Sequence, residues 1–186
     1  MFLPTAIGIP ITCGLALSVA VQRSSIAGSY SSLHPLCTGW GTVLSAVGIV
    51  CFRKKVSTPK INRWLHAGLL SVGALFIDFG MYVMWTVKST MNRPHYKSMH
   101  SQLGVIVAMT MSLQAASSWV TNFPSEKASS ENEGMRDCHR HLGHAISFLG
   151  ACALSTGWWQ GEILGKTALY RPLGVGVCLL IMVVML

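Results

Sequence analysis

Long apolar runs separated by short polar stretches organise the whole chain. The runs cover about 2–22, 33–52, 65–87, 99–121, 140–160 and 168–186. Each is long enough, with some tilt, to cross the ~30 Å hydrocarbon core of a bilayer. The breaks at 22–32, 53–63, 88–98, 122–136 and 161–167 are rich in charged and turn-forming residues. Transmembrane strands would show ten-residue segments of alternating polarity, whereas these runs are continuously apolar, so the elements are helices. The first run lacks the basic start and small-residue cleavage site of a signal peptide and reads as a helix. Pro4, Pro10, Pro35, Pro59, Pro94, Pro124 and Pro172 are read as lying away from span centres, without the paired midplane breaks of many transporters. The pattern predicts an all-α membrane protein, a six-transmembrane-helix bundle forming one domain over 1–186.

Composition agrees and narrows the partners. Charged residues make up 11% of the chain, against about 25% in soluble domains. The net charge of +8 is distributed over the connections, with no folded domain to present it to nucleic acid. Arg53, Lys54, Lys55, Lys60 and Arg63 fill the second break, against Arg23 in the first and Lys88, Arg93 and Lys97 in the third. The positive-inside rule puts that second connection, and with it both termini, in the cytoplasm, leaving Lys166 and Arg171 outside. The six cysteines are scattered without CxxC spacing and suggest no metal or redox site.

Histidines carry the chemistry. His34, His66, His100 and His139 sit at the starts of the second to fifth runs. Consecutive spans reverse direction, so His34 and His100 fall near the outer face, and His66 and His139 near the cytoplasmic one. Each pair comes from two parallel helices, and two neutral imidazoles from facing helices can take both axial positions of a haem iron. A lone histidine at a helix end more often meets headgroups; four that alternate in this way point to function. Small residues accompany each: Gly41 and Gly48 after His34, Gly73 and Gly80 after His66, Gly104, Ala108 and Ala115 after His100, and Gly143, Gly150 and Gly157 after His139. Such stripes would leave room for a flat macrocycle, the competing explanation being close helix packing. The stripe also favours His139 over His141, which has Phe148 seven residues on.

The segments SLHP at 32–35, HYKSMHSQLG at 95–104 and HRHLG at 139–143, with 34 residues from His66 to His100 and 39 from His100 to His139, resemble the eukaryotic cytochrome b561 family. Within it the chain resembles the short, six-helix type of cytochrome b561 domain-containing protein. The resemblance implies two haem b per chain held among the second to fifth helices, the outer one by His34 and His100 and the cytoplasmic one by His66 and His139. It implies ascorbate as cytoplasmic donor, and monodehydroascorbate or a ferric chelate as acceptor across the membrane. Family ascorbate is held by basic residues shortly before the cytoplasmic histidine, which makes Arg63 and Lys60, with Arg53 and Lys54, the candidates. His95, Tyr96 and Lys97 are candidates for the outer haem edge or the acceptor. His141 is a candidate proton acceptor, and Glu162 stands near the place of a family glutamate at the outer end of the fifth span. The family resemblance further suggests an endoplasmic reticulum or vesicle membrane and allows a homodimer. Two other readings compete: a quinol-linked di-haem cytochrome b subunit, which needs partner subunits, and a non-haem helical transporter or scaffold.

Overall fold

The structure is a computed structural model and describes residues 3–22, 29–122 and 133–160. Those residues form α1 (Leu3–Gln22), a single 3-10 turn at Tyr30–Ser32, α2 (Leu33–Lys54), α3 (Pro59–Thr90), α4 (Met99–Asn122) and α5 (Glu133–Gln160). The predicted sixth helix at 168–186 and Glu162 lie outside the described residues. By length and composition Tyr30–Lys54 and Pro59–Thr90 can cross a membrane, and α1 carries a shorter apolar stretch, Ile7–Val19. Helices α4 and α5, of 24 and 28 residues, are about 36 and 42 Å long at 1.5 Å per residue. Helix α5 is the more polar of the two, and Ser, Thr, Gln and His are distributed along both.

Several boundaries differ from those read off the apolar runs. Helix α3 begins seven residues before His66, and α5 begins six residues before His139. Polar and charged residues continue these helices beyond their apolar parts, which hydrophobicity alone does not register. Lys60 and Arg63 therefore occupy the first turns of α3. Pro10 lies inside α1, close to its middle, and is buried, so the expectation that every proline avoids a span centre fails there.

The connection between α2 and α3 is only residues 55–58 long, and local chemistry fixes it. Lys55 ends α2 in the left-handed conformation, φ 50°, with Arg53 and Lys54 in the last turn where cations complement the helix dipole. Thr58 caps α3 by accepting from the Ile61 N–H at 3.4 Å, and Pro59 occupies the first helical position, where its missing N–H costs nothing. Buried Asn62 accepts from the Ser57 N–H at 3.0 Å and donates to the Ser57 carbonyl at 2.8 Å. This short turn makes α2 and α3 an antiparallel hairpin.

Glycines set how closely that hairpin packs. A Cβ on Gly41 would lie 2.6 Å from the Gly73 carbonyl oxygen, and one on Gly73 2.7 Å from the Gly41 carbonyl oxygen. Only hydrogen fits between these backbones. Gly48 meets Leu69 and Leu70, and Gly80 meets Thr38, in the same way. The small residues following His34 and His66 thus serve close helix packing, the explanation that competed with an open surface for a macrocycle. In contrast, Gly104, Gly143 and Gly150 have no neighbour closer than 3.4 Å to an added Cβ.

Helix α1 joins α2 through the Trp40 indole N–H, which donates to Ser18 Oγ at 2.9 Å. Helices α3 and α4 meet at Ser71 and Trp119, whose indole N–H donates to Ser71 Oγ at 2.8 Å, and at Asp78 and Ser112. The face of α3 bearing Val72, Leu75, Phe76, Phe79 and Tyr82 is exposed, a contiguous apolar surface suited to hydrocarbon rather than water.

Candidate functional site

Close packing of α2 and α3 puts each histidine against the neighbouring backbone. His34 Nδ1 lies 2.9 Å from the Gly80 carbonyl oxygen, and His66 Nδ1 lies 3.4 Å from that of Gly48. Opposite one another in a single antiparallel register stand His34 and Gly80, Gly41 and Gly73, then Gly48 and His66, in steps of seven residues. Glycine at 48 and 80 lets the backbones approach until an imidazole can reach a carbonyl.

A related arrangement joins α4 and α5. His100 Nδ1 lies 2.7 Å from the Ala153 carbonyl oxygen. Its ring also rests on Gly157, where a Cβ would come within 2.7 Å of Cε1. His139 is held differently. Its Nδ1 is 3.2 Å from Ser118 Oγ and 3.1 Å from Gln114 Nε2, while the same Gln114 amide donates to the His139 carbonyl at 2.8 Å. Ser118 donates its own proton to the Gln114 carbonyl at 2.7 Å, so its lone pairs are free to accept from His139 Nδ1–H.

These contacts determine which nitrogen is available. A carbonyl oxygen only accepts, so Nδ1 of His34, His66 and His100 carries a proton, and in the neutral ring Nε2 keeps the bare lone pair. That is the tautomer that ligates a metal, fixed by the second nitrogen's hydrogen bond.

The four rings form two pairs. His34 and His100 have ring centroids 6.0 Å apart and planes at 76°; His66 and His139 are 6.2 Å apart at 78°. A nitrogen–metal bond of about 2 Å on each side, plus about 1 Å from each nitrogen to its ring centre, gives roughly 6 Å between rings that share one metal atom. The separations therefore fit two imidazoles that would share one iron atom. Among the described residues no three His, Cys, Asp or Glu side chains converge as a metal site. A haem needs only two protein ligands, because its macrocycle supplies the rest. Along α3, His66 and Gly80 are fourteen residues apart, which places the two pairs about 21 Å from each other along the helix.

A profile described as eukaryotic cytochrome b561 matches residues 33–164, more than two thirds of the chain and all four of these histidines. The chain belongs to that family. Cytochromes b561 are membrane-embedded proteins that bind b haem and transfer electrons across the bilayer, and the chain is accordingly a transmembrane electron-transfer protein of oxidoreductase type. No curated protein matches it significantly.

In this cytochrome b561 the other sequence candidates fall at the two ends. Arg53 and Lys54 at the end of α2, and Lys60 and Arg63 at the start of α3, are exposed at the His66 end, where the Phe52 ring packs on His66 at 4.9 Å. Trp64 beside Arg63 packs edge-on against Trp119 at 5.7 Å. At the opposite end His95 stacks on Trp85 at 5.8 Å and lies 3.2 Å from Ser89 Oγ through Nε2. Tyr96, with φ 54°, and Lys97 are exposed beside it, and Gln102 donates to the Tyr96 carbonyl at 3.0 Å. His141 is exposed and forms no ring pair with the four histidines.

Three features escaped the sequence reading. The acceptor carbonyls of Gly48, Gly80 and Ala153 carry no side-chain signal. Gln114 and Ser118 are ordinary polar residues until α5 is docked on α4. Asp78 did have a signal, since it is the one acidic residue inside the apolar runs, and such residues default to function.

Proposed function

We propose that the chain carries electrons from cytoplasmic ascorbate through two b haems, one between His34 and His100 and one between His66 and His139, to monodehydroascorbate or a ferric chelate on the other side. The observation that carries the reading is the pair of facing imidazoles at each end, at 6.0 and 6.2 Å. Haem b bound at each pair would supply one-electron chemistry. The carbonyls of Gly80, Gly48 and Ala153, and the Ser118 hydroxyl, hold the imidazoles through Nδ1 and leave Nε2 as the nitrogen that would bind the haem.

Arg53, Lys54, Lys60 and Arg63 form a cationic rim at the His66 end. Ascorbate is an anion at neutral pH, and such a rim raises its local concentration. The same cations support a cytoplasmic setting for that end, and for both termini, under the positive-inside rule. His95, Tyr96 and Lys97 present a polar, aromatic edge at the opposite end, suited to an anionic acceptor. His141, exposed two residues beyond His139, is available to take the proton that ascorbate loses on oxidation.

The test is a visible spectrum of the purified chain, reduced with dithionite and separately with ascorbate, with haem counted as the pyridine haemochrome. Two haems per chain and extensive reduction by ascorbate are expected. His66→Ala or His139→Ala should remove one haem and block reduction by ascorbate. A colourless chain from a haem-replete host overturns the proposal, and so does a His139→Ala chain that keeps both haems.

A further inference from the structure

Asp78 belongs to neither imidazole pair. It is half-buried on α3, and the Ser112 hydroxyl of α4 donates to its Oδ2 at 2.6 Å, a length ordinary for a hydroxyl on a carboxylate oxygen. No ion pair to Asp78 forms among the described residues; the ion pair found there joins Arg140 to Asp137, both exposed. The position of this hydrogen bond between the two pairs is specific. On α3 Asp78 stands two residues from Gly80, whose carbonyl holds His34. On α4 Ser112 stands two residues from Gln114, which contacts His139.

A carboxylate inside an apolar span is costly and needs a reason to be there. An interhelical lock alone would be served by an Asn or a Ser opposite Ser112 without introducing a charge. What the carboxylate adds is a negative field in a medium that screens poorly.

We propose that Asp78, held by Ser112, is a fixed negative charge that lowers the reduction potential of the haem at His34–His100 more than that of the haem at His66–His139. The inference rests on the di-haem reading above. The inequality follows from helix geometry. Two residues turn the helix by about 200°, so Asp78 and Gly80 are separated mainly by the thickness of α3, roughly 10 Å, whereas His66 is twelve residues and about 18 Å away along the axis, and His139 lies beyond Ser112, the thickness of α4 and the length of the Gln114 side chain. A unit charge at roughly 10 Å in an effective dielectric of about 20 changes an electron-binding equilibrium by on the order of tenfold. Charge near a haem and its burial are established levers on its potential.

Spectroelectrochemical titration of the full chain in detergent tests this. Asp78→Asn keeps an oxygen to accept from Ser112 and removes the charge. One of the two midpoint potentials should rise by the equivalent of about tenfold, 59 mV for one electron, and the other by clearly less. The component that moves should be the one absent from a His34→Ala chain. Asp78→Ser, which removes the same charge with a smaller side chain, should give the same shift, and Asp78→Glu should give little. Unchanged potentials in an Asp78→Asn chain that retains both haems overturn the inference and leave the di-haem reading standing. A moving component that survives His34→Ala overturns it as well. A role limited to helix locking would lower the melting temperature of Asp78→Asn and Ser112→Ala alike with both potentials in place, and that outcome also overturns it. A wild-type chain without haem removes the di-haem reading itself.

Discussion

The hairpin of α2 and α3 and the pairing of α4 with α5 solve one problem with different materials. In both, the position fourteen residues after one histidine supplies the group that holds the histidine opposite: Gly48 after His34, Gly80 after His66, Gln114 after His100 and Ala153 after His139. In the first unit both acceptors are glycine carbonyls, and the helices touch backbone to backbone at Gly41 and Gly73. In the second, one acceptor is the Ala153 carbonyl, and the other place is taken by the Gln114 side chain working with Ser118. The first unit is a frame whose precision comes from the backbone. The second depends on side chains and has slack at Gly143 and Gly150.

The largest expected effect comes from filling the frame. Gly41→Leu would drive a Cβ to 2.6 Å from a carbonyl oxygen that cannot rotate away, and overpacking of this kind costs about 1–3 kcal/mol or more. Since His34–Gly80 and Gly48–His66 flank the crossing by seven residues on each side, both pairs should be disturbed together. Haem stoichiometry should fall at both sites, with a lowered melting temperature in detergent. Gly150→Ala, whose Cβ would meet Val107 Cγ1 at 3.8 Å, is the control in the looser unit. It should stay within about 0.5 kcal/mol of the parent and keep both haems. Equal damage from the two substitutions would abolish the distinction between the units.

Next in size is the exceptional histidine. If Ser118 Oγ accepts from His139 Nδ1–H, Ser118→Ala loses the group that fixes the tautomer, and partners of this kind are worth about 10–100-fold in metal affinity. The haem at His66–His139 should then dissociate at least about tenfold faster to an apo-globin acceptor, while the haem at His34–His100 is unaffected. Gln114→Leu should have the smaller effect on haem loss. It removes the bond to the His139 carbonyl, worth about 0.5–1.5 kcal/mol, and leaves Ser118 in place. The opposite ranking would mean that the Gln114 amide, and not the hydroxyl, sets the imidazole.

Element type and the pairing of His34 with His100 and of His66 with His139 were legible because hydrophobic runs report helices directly, and because alternation of polar residues at run ends reports which ends lie together. Helix starts were not legible where polar turns extend a helix past its apolar part, as residues 59–64 and 133–139 do. The glycines after His34 and His66 were visible, but their purpose was not. A stripe of glycine signals close approach, and only the docked neighbour distinguishes a ligand face from a helix face. Arg63 and Lys60 could be placed near His66 by spacing, since the first turn of a helix keeps residues three apart together. The holding carbonyls were beyond reach, because every residue has one.

The smallest effect concerns the seam between the two units. Helices α3 and α4 are joined by Trp119 to Ser71 and by Ser112 to Asp78, two polar contacts seven residues apart on each helix and therefore on one face of each. Trp119→Phe keeps an aromatic ring against Trp64 and removes the indole N–H. The lost bond is exposed on the surface of the fold, so its removal should cost at most about 1 kcal/mol, a small drop in melting temperature with haem content and potentials intact. This outcome follows from the comparison, because each histidine is held by a group inside its own unit and the seam touches none of the four. Loss of the haem at His66–His139 in Trp119→Phe would show that the relative position of the units is set at Ser71, and that His139 meets His66 only while this one hydrogen bond survives.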